Sequence, residues 1–323
     1  MRIPHISCLF LIALSISSAQ SARVLTRGEI KQIILNKPYN LSPHIPPPIW
    51  SGRALLVVIV NETREPVLNV IGSDGRPEEV RFSMPDWLRL TVVSLWGGDD
   101  GEIVAAGTGT TGKNEPGSFI VRIGADRTKR TYIPVENLSI NVMTVGPSGV
   151  IWAIGSGKDK ETDTIRTILA RLSPTGKVLT STMLSLPVWD ASPSQMRASA
   201  DRVAWLTSRN DYFEFATDGT TMTHLRGPQA PAGGNMYDRI MAISAANTVL
   251  ISATVYGQAG KRPAVNFWMF DRVKQSWSLS ESAVDPFPPG TSVYGFDGDA
   301  LITSGFERQL GDLLVRYTLS ETK

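Results

Sequence analysis

The chain has 323 residues, 42% of them hydrophobic and 19% charged, with 32 Lys and Arg against 30 Asp and Glu. This is the composition of a globular chain with a sizeable core, and a formal charge of +2 gives no general pull toward nucleic acid or an anionic bilayer. One cysteine and three histidines exclude a disulfide framework and a thiolate metal cluster and leave little material for a zinc centre.

Residues 1–22 read as a secretory signal: a positive start at Arg2, an apolar run from Ile6 to Ile16, and a small-residue exit ending at Ala22, after which cleavage is expected. Cys8 falls inside the apolar run, too early for lipid attachment. No other stretch reaches the ~20 apolar residues needed to span a membrane. The expected product is therefore exported, periplasmic or extracellular, without a membrane span. Residues 23–50 follow as a lead-in: EIKQIIL at 29–35 reads as a spare strand, and the Pro-rich NLSPHIPPPIW at 40–50, with His44 as a packing residue, reads as an extended crossing.

Residues 51–323 repeat. A turn pair followed by an apolar burst recurs six times, at ALLVVIV, EIVAAG, VIWAIG, RVAWLT, TVLISA and ALITSG. With Ala54, Ile103, Ile151, Val203, Val249 and Ala300 as equivalents, the spacings are 49, 48, 52, 46 and 51 residues. A second apolar burst ending in a polar turn keeps the same phase, and Arg122, Arg171 and Arg316 hold one position within it. Each burst is too short for a helix and rich in Val, Ile and aromatic residues, which marks a strand; turns such as Ser73-Asp74-Gly75 and Thr217-Asp218-Gly219 mark hairpins. In the clearest copy the strands fall at 140–145, 150–155, 167–172 and 178–184. Four strands per unit and six units make an all-β, six-bladed β-propeller of four-stranded antiparallel blades. The last unit ends where its fourth strand should begin, so the N-terminal strand is expected to complete that blade and close the ring.

The run GPSGVIWAIGSG at 146–157, followed by ILARLSPTGKVL at 168–179, resembles the repeat of exported bacterial propellers of the streptogramin-lyase-like and NHL-like kind, at the level of fold. The resemblance implies a six-bladed ring. In the lyase a histidine general base and bound magnesium carry the reaction, and lactonase-type propellers hold a divalent cation at the channel. Neither His44 nor His224 stands in a copy of the lyase motif, so no catalytic residue is carried across.

No nucleophile elbow, phosphate loop or HExxH helix is present. The Gly-rich run from Gly107 to Lys113 reads as a loop, His224 as a structural or solvent-facing residue of an outer strand, and Trp152, Trp205 and Trp268 as packing between blades. Asp159, Glu161 and Asp163 alternate like calcium ligands without the rest of a calcium loop. The connections between blades are different, because they gather on one face around the central channel. They carry Trp87 and Arg89, then Trp189, Asp190 and Arg197, then Tyr237, Asp238 and Arg239, aromatics beside charges that could hold a ligand or partner or could simply pair and plug gaps at the surface. The chain reads as a non-catalytic recognition or scaffold module for a protein, peptide or glycan, with no catalytic residue, metal or cofactor assigned. The alternative is a metal-dependent hydrolase or lyase with Asp86, Asp190 and Asp238 around a divalent cation at the channel.

Overall fold

The computed structural model describes residues 23–26, 33–34, 46–60, 65–84, 86–159, 161–186, 195–244, 247–258, 264–280, 291–298, 300–307 and 311–321. Two short N-terminal strands come first, β1 (Arg23–Thr26) and β2 (Ile33–Ile34). The first blade is β3 (Ile49–Ser51), β4 (Ala54–Val60), β5 (Pro66–Ile71) and β6 (Pro77–Arg81). The second is β7 (Trp87–Gly97), β8 (Ile103–Thr111), β9 (Pro116–Ile123) and β10 (Arg130–Val135). The third is β11 (Ser139–Val145), β12 (Ile151–Lys158), β13 (Ile165–Leu172) and β14 (Val178–Leu184). The fourth is β15 (Gln195–Ala198), β16 (Arg202–Leu206), β17 (Asp211–Ala216) and β18 (Thr221–Arg226). The fifth is β19 (Asn235–Ile243), β20 (Val249–Tyr256), β21 (Ala264–Asp271) and β22 (Ser276–Ser280). The sixth takes β23 (Val293–Asp297), β24 (Ala300–Glu307) and β25 (Gly311–Glu321) from the C-terminal end.

Each blade is an antiparallel meander, and the six innermost strands, β3, β7, β11, β15, β19 and β23, touch in succession until β23 meets β3. The chain is thus an all-β, six-bladed propeller. At the edge of the sixth blade, Arg23–Thr26 lies antiparallel to Thr318–Glu321, and Ile33–Ile34 opposes Leu313–Leu314. The N-terminal pairing therefore starts earlier than the expected stretch at 29–35, of which only Ile33 and Ile34 lie among the described residues. His44 lies outside them.

Local chemistry explains the blade's shape. In five of the six blades the turn before the second strand takes a left-handed residue, supplied by Gly52, Gly101, Gly149, Asn247 and Gly298. Two further glycines act by being small. A Cβ at Gly107 would stand 2.2 Å from the carbonyl oxygen of Thr91, and one at Gly155 would stand 2.0 Å from that of Ser139. Both lie across from register shifts in the inner strand, between Val92 and Ser94 and between Ile140 and Val142, so the bulged inner strand presses its backbone onto the next strand. The run from Gly107, expected to be a loop, is accordingly strand as far as Thr111.

Apolar side chains fill the seams between blades. Trp152 and Trp205 are fully buried, and Trp152 stacks on Phe215 of the next blade with ring centroids 6.3 Å apart. Polar clasps sit on this packing. Ser51 both donates to and accepts from the backbone of Gly97 at 2.9 Å, and Ser94 does the same to Met143 at 3.0 Å, each reaching the next inner strand. Two of the three repeated third-strand arginines are struts: Arg122 donates to the carbonyl of Pro174 at 3.1 Å, and Arg171 to that of Asp218 at 2.7 Å, each in the following blade's outer turn, whereas Arg316 pairs with Asp297 of its own blade at 3.5 Å.

The seam between the fourth and fifth blades carries a buried ionic knot on Glu214, whose side chain is 1% exposed. It accepts from Arg202 at 3.2 Å, from Arg272 of the fifth blade at 2.7 Å, and from the Tyr212 hydroxyl at 2.7 Å. Burial, reinforced by the negative charge of Glu214, pushes the Tyr212 hydroxyl well above its ordinary value of 10. The folded chain then keeps a proton that the unfolded chain releases, so this contribution to stability is complete below about pH 10 and is lost as the pH rises beyond it. Thermal melts from pH 8 to 11 are expected to show an alkaline decline that Tyr212→Phe flattens; an unchanged profile in the variant counts against it.

Candidate functional site

In an up-and-down blade the connections into the inner strands and those between second and third strands share one face, and the tight turns share the other. The turn face is chemically occupied. Asp74, Asp126, Asp218 and Asp271 each accept a backbone N–H from within their own turn, and Arg122 and Arg171 reach across to the next blade. The connection face is where the candidate residues lie.

Trp87 opens β7 and turns inward. It meets Phe119 edge-to-face at 5.6 Å and rests on Gly109 and Gly117, where a Cβ would stand 2.7 and 2.8 Å from its ring. It is a plug of the second blade. Arg89 is exposed one turn of the pleat further along, and Asp86 is exposed in a left-handed conformation, its carbonyl accepting the Gly112 N–H at 2.6 Å. Trp189 and Asp190 lie outside the described residues, and of Asp238 only the backbone, within β19, is described.

The remaining candidates converge on the fourth and fifth blades. Gln195, at the start of β15, donates to the Arg239 carbonyl at 2.6 Å and accepts the Met241 N–H at 2.7 Å, binding the two inner strands together. Arg239 reaches back and donates to the carbonyl of Ser208 in the fourth blade. Arg197 lies two residues beyond Gln195, with its Nη1 donating to the Met196 carbonyl at 2.9 Å. On the other side of β19, Tyr237 meets Tyr256 edge-to-face at 5.4 Å, and the two rings are 54% and 42% exposed. The structure thus brings Arg197 and Arg239 to the seam between the fourth and fifth blades, places Tyr237 on the opposite face of β19, across from Thr254, and leaves Trp87 and Arg89 on the second blade, beyond the third. Gln195, read in the sequence as part of the connection at 186–197, ties the two inner strands, and Tyr256 is the ring partner of Tyr237; neither partnership could be read in advance.

Of the other polar candidates, His224 is exposed on β18 and stacks on Phe213 at 4.1 Å. Asp159 accepts backbone N–H groups of Glu161 and Thr162, which hold its carboxyl below the usual range, and Asp163 pairs with Lys158 at 2.6 Å. Among the described residues no three His, Cys, Asp or Glu side chains are grouped to hold a metal ion, and no helix is long and apolar enough to cross a membrane.

No family model matches the sequence, and no curated protein does. Solved structures do. A protein of unknown function from Dyadobacter fermentans aligns at a TM-score of 0.53 with 12% identity, over 93% of this chain and 100% of that one. An ulvan lyase of a polysaccharide lyase family, bound to a saccharide, aligns at 0.46 with 8% identity, over 94% and 83%. The Pan2 WD40 domain of Neurospora crassa aligns at 0.44 with 11% identity, over 85% and 75%. What they share with this chain is the propeller fold. No particular propeller family is identified.

Proposed function

We propose that this chain is an exported, non-catalytic recognition propeller that holds a protein, peptide or glycan partner on its connection face. The observation that carries this reading is the exposed Tyr237–Tyr256 pair at the connection-face end of β19 and β20 in the fifth blade. Large aromatic rings with a polar edge are the side chains that dominate partner binding, and here they stand exposed on a rigid sheet. The opposite face, by contrast, spends its polar groups on turns and struts.

Labelled protein can be read against peptide and glycan arrays, and each hit titrated against three variants. Tyr237→Ala/Tyr256→Ala should weaken binding by roughly 30-fold, the scale of a central aromatic anchor. Val273→Ser, at an 89% exposed position on the turn face, should leave it unchanged. A partner held equally well after both tyrosines are replaced removes this face from consideration.

A further inference from the structure

Most arginines that bind a carboxylate here do so across a short gap: Arg122 to Glu102, Arg202 to Asp201 and Glu214, and Arg272 to Glu214, at 2.6 to 3.2 Å. Arg197 and Arg239 differ. Among the described residues neither is paired with a carboxylate; each donates only to a backbone carbonyl, of Met196 and of Ser208. A guanidinium has five N–H donors, so both are far from satisfied.

Strand alternation puts them on one seam. Met196 is buried in the cluster with Val142 and Trp152 of the third blade, so Gln195 and Arg197, its neighbours along β15, face the fifth blade. Met241 is buried with Ala204, Leu206 and Tyr212 of the fourth blade, and Arg239, two residues before it, reaches Ser208 of that same blade. The side chain of Gln195 ties the two strands at this level. Both arginines are partly exposed on innermost strands; Arg239 extends outward to the β16–β17 connection of the fourth blade, and Arg197 stays at the seam. Burial pushes Arg197 down to about 10 and lowers Arg239 too, with no acidic neighbour opposing the shift in either case.

We infer that the seam between the innermost strands of the fourth and fifth blades is an oxyanion site, in which Arg197 takes a carboxylate or sulfate group of the ligand and Arg239, held at Ser208, adds positive charge from the fifth blade. The inference rests on the recognition reading above and names the ligand's chemistry. A guanidinium fork fits a two-oxygen anion bidentately, and a half-buried cation with no carboxylate partner gains when an anion arrives.

The test is thermal melting of the whole chain in acetate, sulfate or chloride at matched ionic strength, for wild type, Arg197→Met and Arg197→Lys. Because sulfate stabilises proteins generally, the Arg197→Met response is the background. Wild type should gain about 2 °C over that background at ten times Kd, in acetate or sulfate and not in chloride. Preference between acetate and sulfate identifies which oxyanion the site takes. In chloride Arg197→Met should melt at or above wild type, because the uncompensated charge is gone; Arg197→Lys, folded with its charge but without the fork, should bind the anion about tenfold more weakly. Equal gains in wild type and both variants, or no anion-specific gain in wild type, overturn the site. An array partner whose binding needs the tyrosines but ignores Arg197→Met also overturns it while leaving the recognition face standing.

Discussion

Replacing Glu214 with Ala is expected to lower stability by about 3–5 kcal/mol, a fall of roughly 10 °C in melting temperature. Glu214 lies on the third strand of its blade with its side chain 1% exposed, and it is the common acceptor for Arg202, Arg272 and Tyr212. Its loss would strand a buried phenol and leave Arg272 with only the carbonyl of Asn247, at 2.5 Å. Arg202 keeps Asp201 at 2.6 Å, so the damage should concentrate on the side of the fifth blade. Removing one member of a buried ion pair costs far more than the pair itself contributes, because the stranded charge stays desolvated. Glu214→Gln preserves the shape and the acceptor for Tyr212 but not the charge, and should fall between wild type and Glu214→Ala. Thermal and urea melts of the three proteins check this; a Glu214→Ala protein melting within about 2 °C of wild type would show that the knot contributes nothing net.

The blade pattern was legible because it is local. Ala54, Ile103, Ile151, Val249 and Ala300 all begin second strands, and the expected strands of the third blade match β11 to β14 to within a few residues. Left-handed turn residues and turn aspartates act within a handful of positions, so their chemistry could be read from order alone. The seams could not. Periodicity aligned Arg122 with Arg171, yet their partners, the carbonyls of Pro174 and Asp218, belong to the next blade, and nothing in a repeat says what faces it across a gap. The same limit governed the candidate site. Arg197 has acidic residues nearby in sequence, and pairing with one of them was a reasonable expectation. Strand alternation instead gives Asp201 to Arg202 and turns Arg197 toward the fifth blade. Trp87 shows the converse: read as part of a connection, where exposure was expected, it opens β7, and two glycines on neighbouring strands make a slot for its ring.

Deleting residues 23–40 is expected to lower the melting temperature by roughly 10 °C and to promote aggregation, although the ring should persist. The sixth blade draws three strands from the C-terminal end, and the four residues Arg23–Thr26 run antiparallel to the outermost of them, β25. At about 1 kcal/mol for each net backbone hydrogen bond, pairing along β1 and β2 is worth several kcal/mol before any side chain is considered. Without it, β25 would present a long row of open N–H and C=O groups, a template for strand addition by another chain. The inner contact of β23 with β3 does not involve these residues, so circular dichroism should still report a β-rich fold. A synthetic peptide covering 23–34, added to the truncated protein, should recover most of the loss, and the same peptide with Pro at both Val24 and Leu25 should not, since proline cannot donate to the ladder. A truncated protein that melts like the full chain, or that the two peptides rescue equally, would mean that the sixth blade stands on three strands and that the N-terminal segment serves something other than closure.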